Sequence, residues 1–176
     1  NKNISGSITL TEDALLSIYC LDLNNVANLN PAQYRITAIP DDPPELLIQR
    51  PEHEFDLDES LLIHFDTLTS DDFGFSQMLI SYEIIHPDYL APDTNTYKQP
   101  VPDLLLSARN QQIFYEWDVN KLNLDMEDEL HFRVAVLDNN TFSGPSVTIS
   151  RKFIANYPSI EDLYLQLESD EEEFFD

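Results

Sequence analysis

Three observations in the sequence predict an all-β protein. Short runs alternate between apolar and polar side chains, which is the period of strands that bury one face. Proline, aspartate and asparagine separate these runs, and these residues favour tight turns. Hydrophobic residues make up 42% of the chain and aromatic residues 11%. That content is enough for a packed core, so the high charge does not indicate wholesale disorder.

The first strands are expected close to the N-terminus. The alternation predicts a strand over residues 15–21, another over residues 33–39 and a weaker one near residues 8–10. Three strands do not close a sandwich. We therefore expect residues 1–39 to be the C-terminal strands of a preceding β-domain, or else a β-ribbon that adds to the main sheet. The single cysteine, Cys20, excludes an internal disulfide and is predicted to be a small buried hydrophobe.

A connector rich in proline and aspartate follows over residues 40–45. Proline fixes the backbone angle φ and removes a hydrogen-bond donor, so this stretch is predicted to be extended and stiff. It is the best domain boundary that the sequence offers. Because the chain opens at Asn1 without a methionine, it is expected to be a fragment of a larger protein.

About six strands are expected in the main unit, residues 46–156. After a first strand over residues 46–49, the predicted inward faces are Leu61, Ile63 and Phe65; Met78, Ile80, Tyr82 and Ile84; Ile113, Tyr115 and Trp117; Leu130, Phe132, Val134 and Val136; and Val147, Ile149 and Phe153. The stretch 86–110 is longer than a normal connection, and a short strand or helical turn is expected within it at residues 104–106. This pattern is typical of an immunoglobulin/fibronectin-like antiparallel β-sandwich.

The hydrophobic period changes near the C-terminus. Ser159 followed by Asp162 is a helix-capping signal. Apolar residues then recur at helical spacing, at Ile160, Leu163, Tyr164 and Leu167. These features predict an amphipathic helix over residues 157–168 and an acidic tail over residues 169–176. The tail is read as solvated, with docking onto a basic partner as the alternative.

Charge excludes several classes of partner. The chain has 33 acidic against 9 basic residues and a formal net charge of -24. Such a surface repels nucleic acid and anionic lipid. It favours calcium or magnesium ions and basic protein surfaces. No run approaches the ~20 apolar residues of a membrane-spanning helix, so direct membrane insertion is not expected.

No catalytic constellation is recognisable in the sequence. The four histidines, His53, His64, His86 and His131, have no ligand partner at helical spacing. We expect His64 and His131 to point outward from different sheets, which would keep them from sharing a metal. No nucleophile elbow, phosphate-binding loop or Cys–His pairing occurs. The chain is therefore predicted not to be an enzyme and to need no cofactor, with calcium kept as a second hypothesis.

The calcium hypothesis depends on acidic turns. Calcium binds six to eight oxygen ligands, often acids and amides on adjoining loops. The candidate ligands are Asp41, Asp42, Asp71, Asp72, Asp138, Asn139 and Asn140. In a sandwich, turns from different strands can meet at one end. The alternative is that these residues only close their own turns through side-chain hydrogen bonds.

Seven short motifs together resemble a known kind of domain. They are Tyr34-Arg35-Ile36, Asp41-Asp42-Pro43-Pro44, Asp71-Asp72-Phe73-Gly74, Trp117-Asp118-Val119, Asp128-Glu129-Leu130, Val136-Leu137-Asp138-Asn139 and Ser143-Gly144-Pro145. The chain resembles the immunoglobulin-like repeats of large bacterial envelope proteins, most of them uncharacterised, which have N-terminal membrane anchors and C-terminal coiled coils. The resemblance covers roughly residues 30 to 165. It implies an extracytoplasmic location, periplasmic or at the cell surface, and a spacer or scaffold role.

Several apolar residues are expected to point away from the core. They are Leu47, Leu62, Leu79, Ile85 and Phe114. We expect these residues either to pack against the other β-unit or the proline-rich stretch, or to form a patch that binds a partner. The sequence thus predicts a non-enzymatic structural or interaction module whose partner is another protein or a neighbouring domain. A calcium-stabilised adhesion-type module is the alternative.

Overall fold

The computed structural model describes residues 5–158 and shows an all-β chain. The chain divides into two compact units, residues 1–40 and residues 41–176, and the proline-rich connector lies at this division. The strands are β1 (Ala14–Ile18), β2 (Ala32–Ile36), β3 (Glu45–Arg50), β4 (Glu54–Asp56), β5 (Leu62–Ser70), β6 (Phe75–Ile85), β7 (Tyr97–Pro100), β8 (Asn110–Asp118), β9 (Glu129–Asp138), β10 (Val147–Ile149) and β11 (Phe153–Asn156). A short 3₁₀ turn, Asn120–Leu122, follows β8.

The first unit is a two-stranded antiparallel ribbon. β1 pairs with β2, and Leu16 lies opposite Tyr34. The expected strand near residues 8–10 is not formed. The prediction that Cys20 is buried is wrong, because β1 ends at Ile18 and the cysteine lies exposed in the loop that follows. A single pair of strands has no second layer to cover its side chains.

The second unit contains two sheets. β3, β5 and β8 form an antiparallel three-stranded sheet in the order β3-β5-β8. The larger sheet has the order β4-β11-β9-β6-β7, and β10 also pairs with β9. β4 lies parallel to β11, whereas the other pairs of this sheet are antiparallel. Residues 41–158 therefore contain nine strands instead of the expected six.

The two sheets pack face to face around one core. Ile80 and Val134 from the larger sheet and Trp117 from the smaller sheet are all buried in it. Phe132 lies at the centre, with ring centroids 5.8 Å from Phe65 and 5.7 Å from Trp117 in edge-on contacts. The alternation in the sequence therefore assigned these strands to the correct faces. Burial of such aromatic side chains is the main stabilising contribution in a core of this kind.

The last predicted strand is in fact two strands. Val147 and Ile149 belong to β10 and are exposed, so their assignment to the core is wrong. Phe153 belongs to β11 and is buried. The backbone N–H of Ser150 donates to the Val134 carbonyl between the two strands, where the chain shifts its register on β9. Because of this offset, odd-numbered residues face outward in β10 and inward in β11.

The long connection between β6 and β8 also differs from expectation. Its strand is β7, at residues 97–100, whereas residues 104–106 form neither a strand nor a helix. β4 was not predicted at all, because three residues are too few to show a period. The helix predicted over residues 157–168 and the acidic tail over residues 169–176 lie outside the described residues, apart from Tyr157 and Pro158, which are not helical.

Candidate metal centre

The strand order brings three acidic segments to one end of the sandwich. β3 starts where β5 ends, since Glu45 lies opposite Ser70. β6 starts where β9 ends, since Phe75 lies opposite Asp138. The short turn of residues 71–74 joins β5 to β6. The segment before β3, the β5–β6 turn and the loop after β9 are therefore neighbours.

Asp71 closes the β5–β6 turn with one of its two carboxylate oxygens. Its Oδ2 accepts hydrogen bonds from the backbone N–H of Phe73 at 3.0 Å and of Gly74 at 2.6 Å. Gly74 has φ of +102°, and a Cβ there would lie 2.6 Å from the Leu106 carbonyl oxygen. The turn thus requires glycine at this position. It also holds Asp71 in a buried position.

Asp138 performs the same task after β9. Its side chain is fully buried at the last position of the strand. Its Oδ1 accepts hydrogen bonds from the backbone N–H of Asn140 at 3.1 Å and of Ser146 at 2.9 Å. The Ser146 carbonyl accepts in turn from the Asp138 N–H at 3.2 Å. The loop over residues 139–145 is therefore closed around this one carboxylate.

Four carboxylate oxygens at this end have no hydrogen-bond partner. They are Asp41 Oδ1, Asp71 Oδ1, Asp72 Oδ1 and Asp138 Oδ2, and all are shielded from solvent. A buried carboxylate oxygen without a donor carries an uncompensated desolvation cost. The turn interpretation explains one oxygen each of Asp71 and Asp138. It leaves the other oxygen of each residue without a role.

The other carboxylates of this end act on Asp41. Burial raises the pKa of Asp41 above its usual value of 3.8, and the negative charges of Asp138, Asp72 and Asp71 raise it further. The Asn140 side chain, a hydrogen-bond donor beside Asp41, acts in the opposite direction. A site that makes protonation easier through accumulated negative charge also favours a cation.

The other predicted ligands do not add free oxygens to this cluster. Asp42 is exposed beside it. Asn139 donates through Nδ2 to the Phe73 carbonyl at 2.7 Å and so ties the two loops together. The side-chain oxygen of Asn140 is already occupied by the backbone N–H groups of Phe142 at 2.9 Å and Ser143 at 3.1 Å. We refer to Asp41, Asp71, Asp72 and Asp138 as the acidic cluster.

The acidic cluster is not closed in the arrangement seen. Within residues 5–158, no three His, Cys, Asp or Glu side chains form a group that could hold a metal ion as it stands. Mutual repulsion keeps neighbouring carboxylates apart, and a divalent charge between them removes that repulsion. A modest inward movement of the side chains would bring the four unpaired oxygens around such an ion, and it costs less than lasting burial of unpaired charge.

The sequence did not point to a second buried carboxylate, which lies at the other end of β9. Asp128 is buried, and its Oδ1 lies 2.7 Å from Nδ1 of His86. His64 is exposed on β5 and lies 3.4 Å from Glu116, whereas His131 on β9 lies 2.6 Å from Glu129. These two histidines lie on different sheets. Asp128 and His86 lie 42 positions apart in the sequence. No local sequence pattern spans that distance, so the pair could not be predicted.

Neither a protein-family model nor a curated protein matches this chain. In the part of the chain that the structure describes, no helix combines the length and the apolar character needed to cross a bilayer.

Proposed function

We propose that this chain is a non-enzymatic, calcium-stabilised β-sandwich module of a larger extracytoplasmic protein. The observation that carries the proposal is the set of four buried, unpaired carboxylate oxygens of the acidic cluster. They come from three separate segments of the chain, which a bound cation would connect. The function is thus to hold a rigid shape that spaces, scaffolds or binds a protein partner.

Calcium fits this set of ligands better than other common ions. All four oxygens are carboxylate oxygens, which hard cations prefer, and no cysteine lies in the cluster. Calcium accepts six to eight ligands in flexible geometry, whereas magnesium demands a near-ideal octahedron and keeps its water. Carboxylates that come from three separate segments satisfy the first requirement more easily than the second.

The position of Asp41 explains what the ion would do. Asp41 comes just before the prolines that lead into β3, and the Pro44 carbonyl accepts a 2.5 Å hydrogen bond from the Thr148 hydroxyl. That bond already connects the start of the smaller sheet to β10 of the larger sheet. A cation shared by Asp41, Asp72 and Asp138 would add a second connection at the same end. It would stiffen the N-terminal edge of this unit.

An extracytoplasmic setting agrees with a site of this kind. Calcium sites of extracellular modules bind with dissociation constants of about 10⁻⁴ to 10⁻³ M, which matches the calcium supply outside cells. The resemblance to immunoglobulin-like repeats of membrane-anchored envelope proteins points to the same location. Both arguments support a spacer or scaffold domain over a soluble enzyme.

Thermal unfolding of the full chain tests the proposal directly. The melting temperature is measured with excess chelator, with calcium and with magnesium. At a calcium concentration 100 times the dissociation constant, a ligand that binds only the native state adds about 2.7 kcal/mol, or roughly 10 °C in melting temperature. Magnesium at the same concentration is expected to give a much smaller rise.

Two substitutions make the test specific. Asp138→Asn keeps the acceptor for Asn140 and Ser146 but removes the charge, so the calcium-dependent rise is expected to disappear. Asp42→Asn is the matched control, because it removes one charge from the neighbouring exposed residue, and it should preserve the rise. An equal rise in both variants, or no rise in the parent chain at millimolar calcium, would show that the cluster does not bind calcium.

A further inference from the structure

The outer face of the larger sheet carries a row of apolar residues across four strands. Ile149 lies opposite Ala135, Ala135 opposite Leu79, and Leu79 opposite Pro100. Their neighbours in sequence on β6 and β9, Ile80 and Val134, point into the core. The row therefore faces away from the core, because side chains alternate between the faces of a sheet.

The next row on the same face is basic. Arg133 lies opposite Ser81, and Ser81 lies opposite Lys98. Lys152 precedes Phe153, whose side chain is buried and which lies opposite Phe132, so alternation places Lys152 on the outer face beside Arg133. We call Lys98, Arg133 and Lys152 the basic row. These three bases lie close together in a chain that has only 9 basic against 33 acidic residues.

Within residues 5–158, the basic row has no carboxylate partner. The Lys and Arg side chains of the described chain include one ion pair, between Lys121 and Asp118 at 3.1 Å, and none that involves the basic row. Arg133 donates only to the Ser150 carbonyl, at 3.5 Å. Three exposed bases beside an apolar row form a surface complementary to an acidic segment with apolar side chains.

We propose that the basic row and the adjoining apolar row bind residues 160–176 of the same chain. That segment contains eight carboxylates and no base: Glu161, Asp162, Glu168, Asp170, Glu171, Glu172, Glu173 and Asp176. It also contains apolar residues at both of its ends, among them Leu163, Leu167 and Phe174. Its composition thus matches both rows, in charge and in hydrophobicity. This inference is independent of the calcium site.

The segment is long enough to reach this face. β11 ends at Asn156, opposite Glu129, and Arg133 lies four residues further along β9. Four residues of strand span about 13 Å, and the three steps from strand β11 across the sheet to strand β7 span about 14 Å. The ten residues that follow Asn156 could cover about 33 Å if extended. The acids from Glu168 onward can therefore reach the basic row.

Cross-linking of the full chain with a zero-length carboxylate–amine reagent tests the proposal at micromolar concentration. Mass spectrometry then maps the links in the monomeric product. We expect links from Lys98 and Lys152 to acids within residues 161–176, at least 5-fold more abundant than links from Lys121 to the same acids. Lys121 serves as an internal standard because its link to Asp118 should form in any case. Sodium chloride at 0.5 M shortens the screening length to about 4 Å and should reduce the tail links several-fold.

Charge reversal completes the experiment. Arg133→Glu should remove most of the tail links, whereas Arg50→Glu, which changes a base outside this face, should leave them in place. An even distribution of tail links over Lys98, Lys121 and Lys152 would overturn the proposal. So would links that appear only in a dimeric product, since the occupant would then be a second copy. The calcium-dependent melting temperature is measured in a separate experiment. The proposal for the tail and the proposal for the calcium site can therefore fail independently.

Discussion

Two buried aspartates at opposite ends of one strand differ in how their charge is compensated. Asp128 comes just before β9 and Asp138 ends it, with exposures of 1% and 0%. Both oxygens of Asp128 have partners, His86 Nδ1 at 2.7 Å and the backbone N–H of Asp125 at 2.8 Å. Asp138 uses Oδ1 twice and leaves Oδ2 without a partner.

The two ends of β9 thus compensate a buried carboxylate in two different ways. A carboxylate that finds hydrogen-bond donors within its own chain is compensated without an ion from solution. A carboxylate surrounded by other carboxylates has no such partner, and we expect a cation from solution to compensate its charge. The histidine end of β9 is thus self-sufficient, and the acidic end is expected to respond to calcium.

The largest effect is expected when the self-sufficient end is broken. Asp128→Ala leaves His86 and the Asp125 N–H without their acceptor, and loss of a buried charged hydrogen-bond partner costs about 2–4 kcal/mol. Urea denaturation of the full chain should show this loss equally with calcium and with chelator. A loss below about 0.5 kcal/mol would mean that the pair contributes little and that the two ends do not differ.

A substitution at the other end should have the opposite sign. In chelator, Asp138→Asn removes one charge from a repulsive cluster and keeps the hydrogen bonds that close the loop. We expect the free energy of unfolding to stay unchanged or to rise by up to about 1 kcal/mol. In calcium, the same variant should be less stable than the parent chain. Equal destabilisation by Asp138→Asn under both conditions would contradict this assignment.

The smallest effect concerns pH. The hydrogen bond that His86 donates to the Asp128 carboxylate raises the pKa of His86 above its usual 6.5, and the nearby negative charges of Asp128, Asp93 and Asp125 add to this. A raised pKa means that the folded state favours the protonated form. The stabilisation is therefore complete below pH 6.5 and is lost as the pH rises through the folded pKa.

Denaturation midpoints of the parent chain and of His86→Gln, measured between pH 5 and pH 9, should therefore diverge most at the acidic end of that range. Parallel pH profiles for the parent chain and His86→Gln would show that His86 does not titrate as described.

At the other end of β9, burial raises the pKa of Asp41. In chelator this raised pKa adds stability as the pH falls towards 3.8, and calcium should suppress that gain.

Much of the second unit could be predicted because alternation is a local signal. Ile63 and Phe65 on β5, and Phe132 and Val134 on β9, are buried as their parity indicates. The signal failed where a strand was too short or shifted its register. β4 has three residues, and the break between Ile149 and Phe153 changes the face that each parity presents. Such a break depends on pairing with β9, and in the sequence only Arg151, a charged residue that interrupts the predicted inward face, marks it.

The acidic cluster was predicted in part. Turn chemistry identified Asp71 and Asp138 as loop residues, and both do close their loops. The sequence could not separate Asp42, which is exposed, from Asp41, which has a shielded and unpaired oxygen. Adjacent residues of identical chemistry differ only through the direction that the folded backbone gives them.

The sequence alone determined the β class, the parity of the main core strands, the absence of an internal disulfide and the strongly negative charge. These follow from composition and from relations between residues two positions apart. Only the tertiary structure decided that Asp41, Asp72 and Asp138 share one end and that His86 meets Asp128. Each of those meetings joins positions tens of residues apart, and it is the order of strands in the two sheets that brings them together.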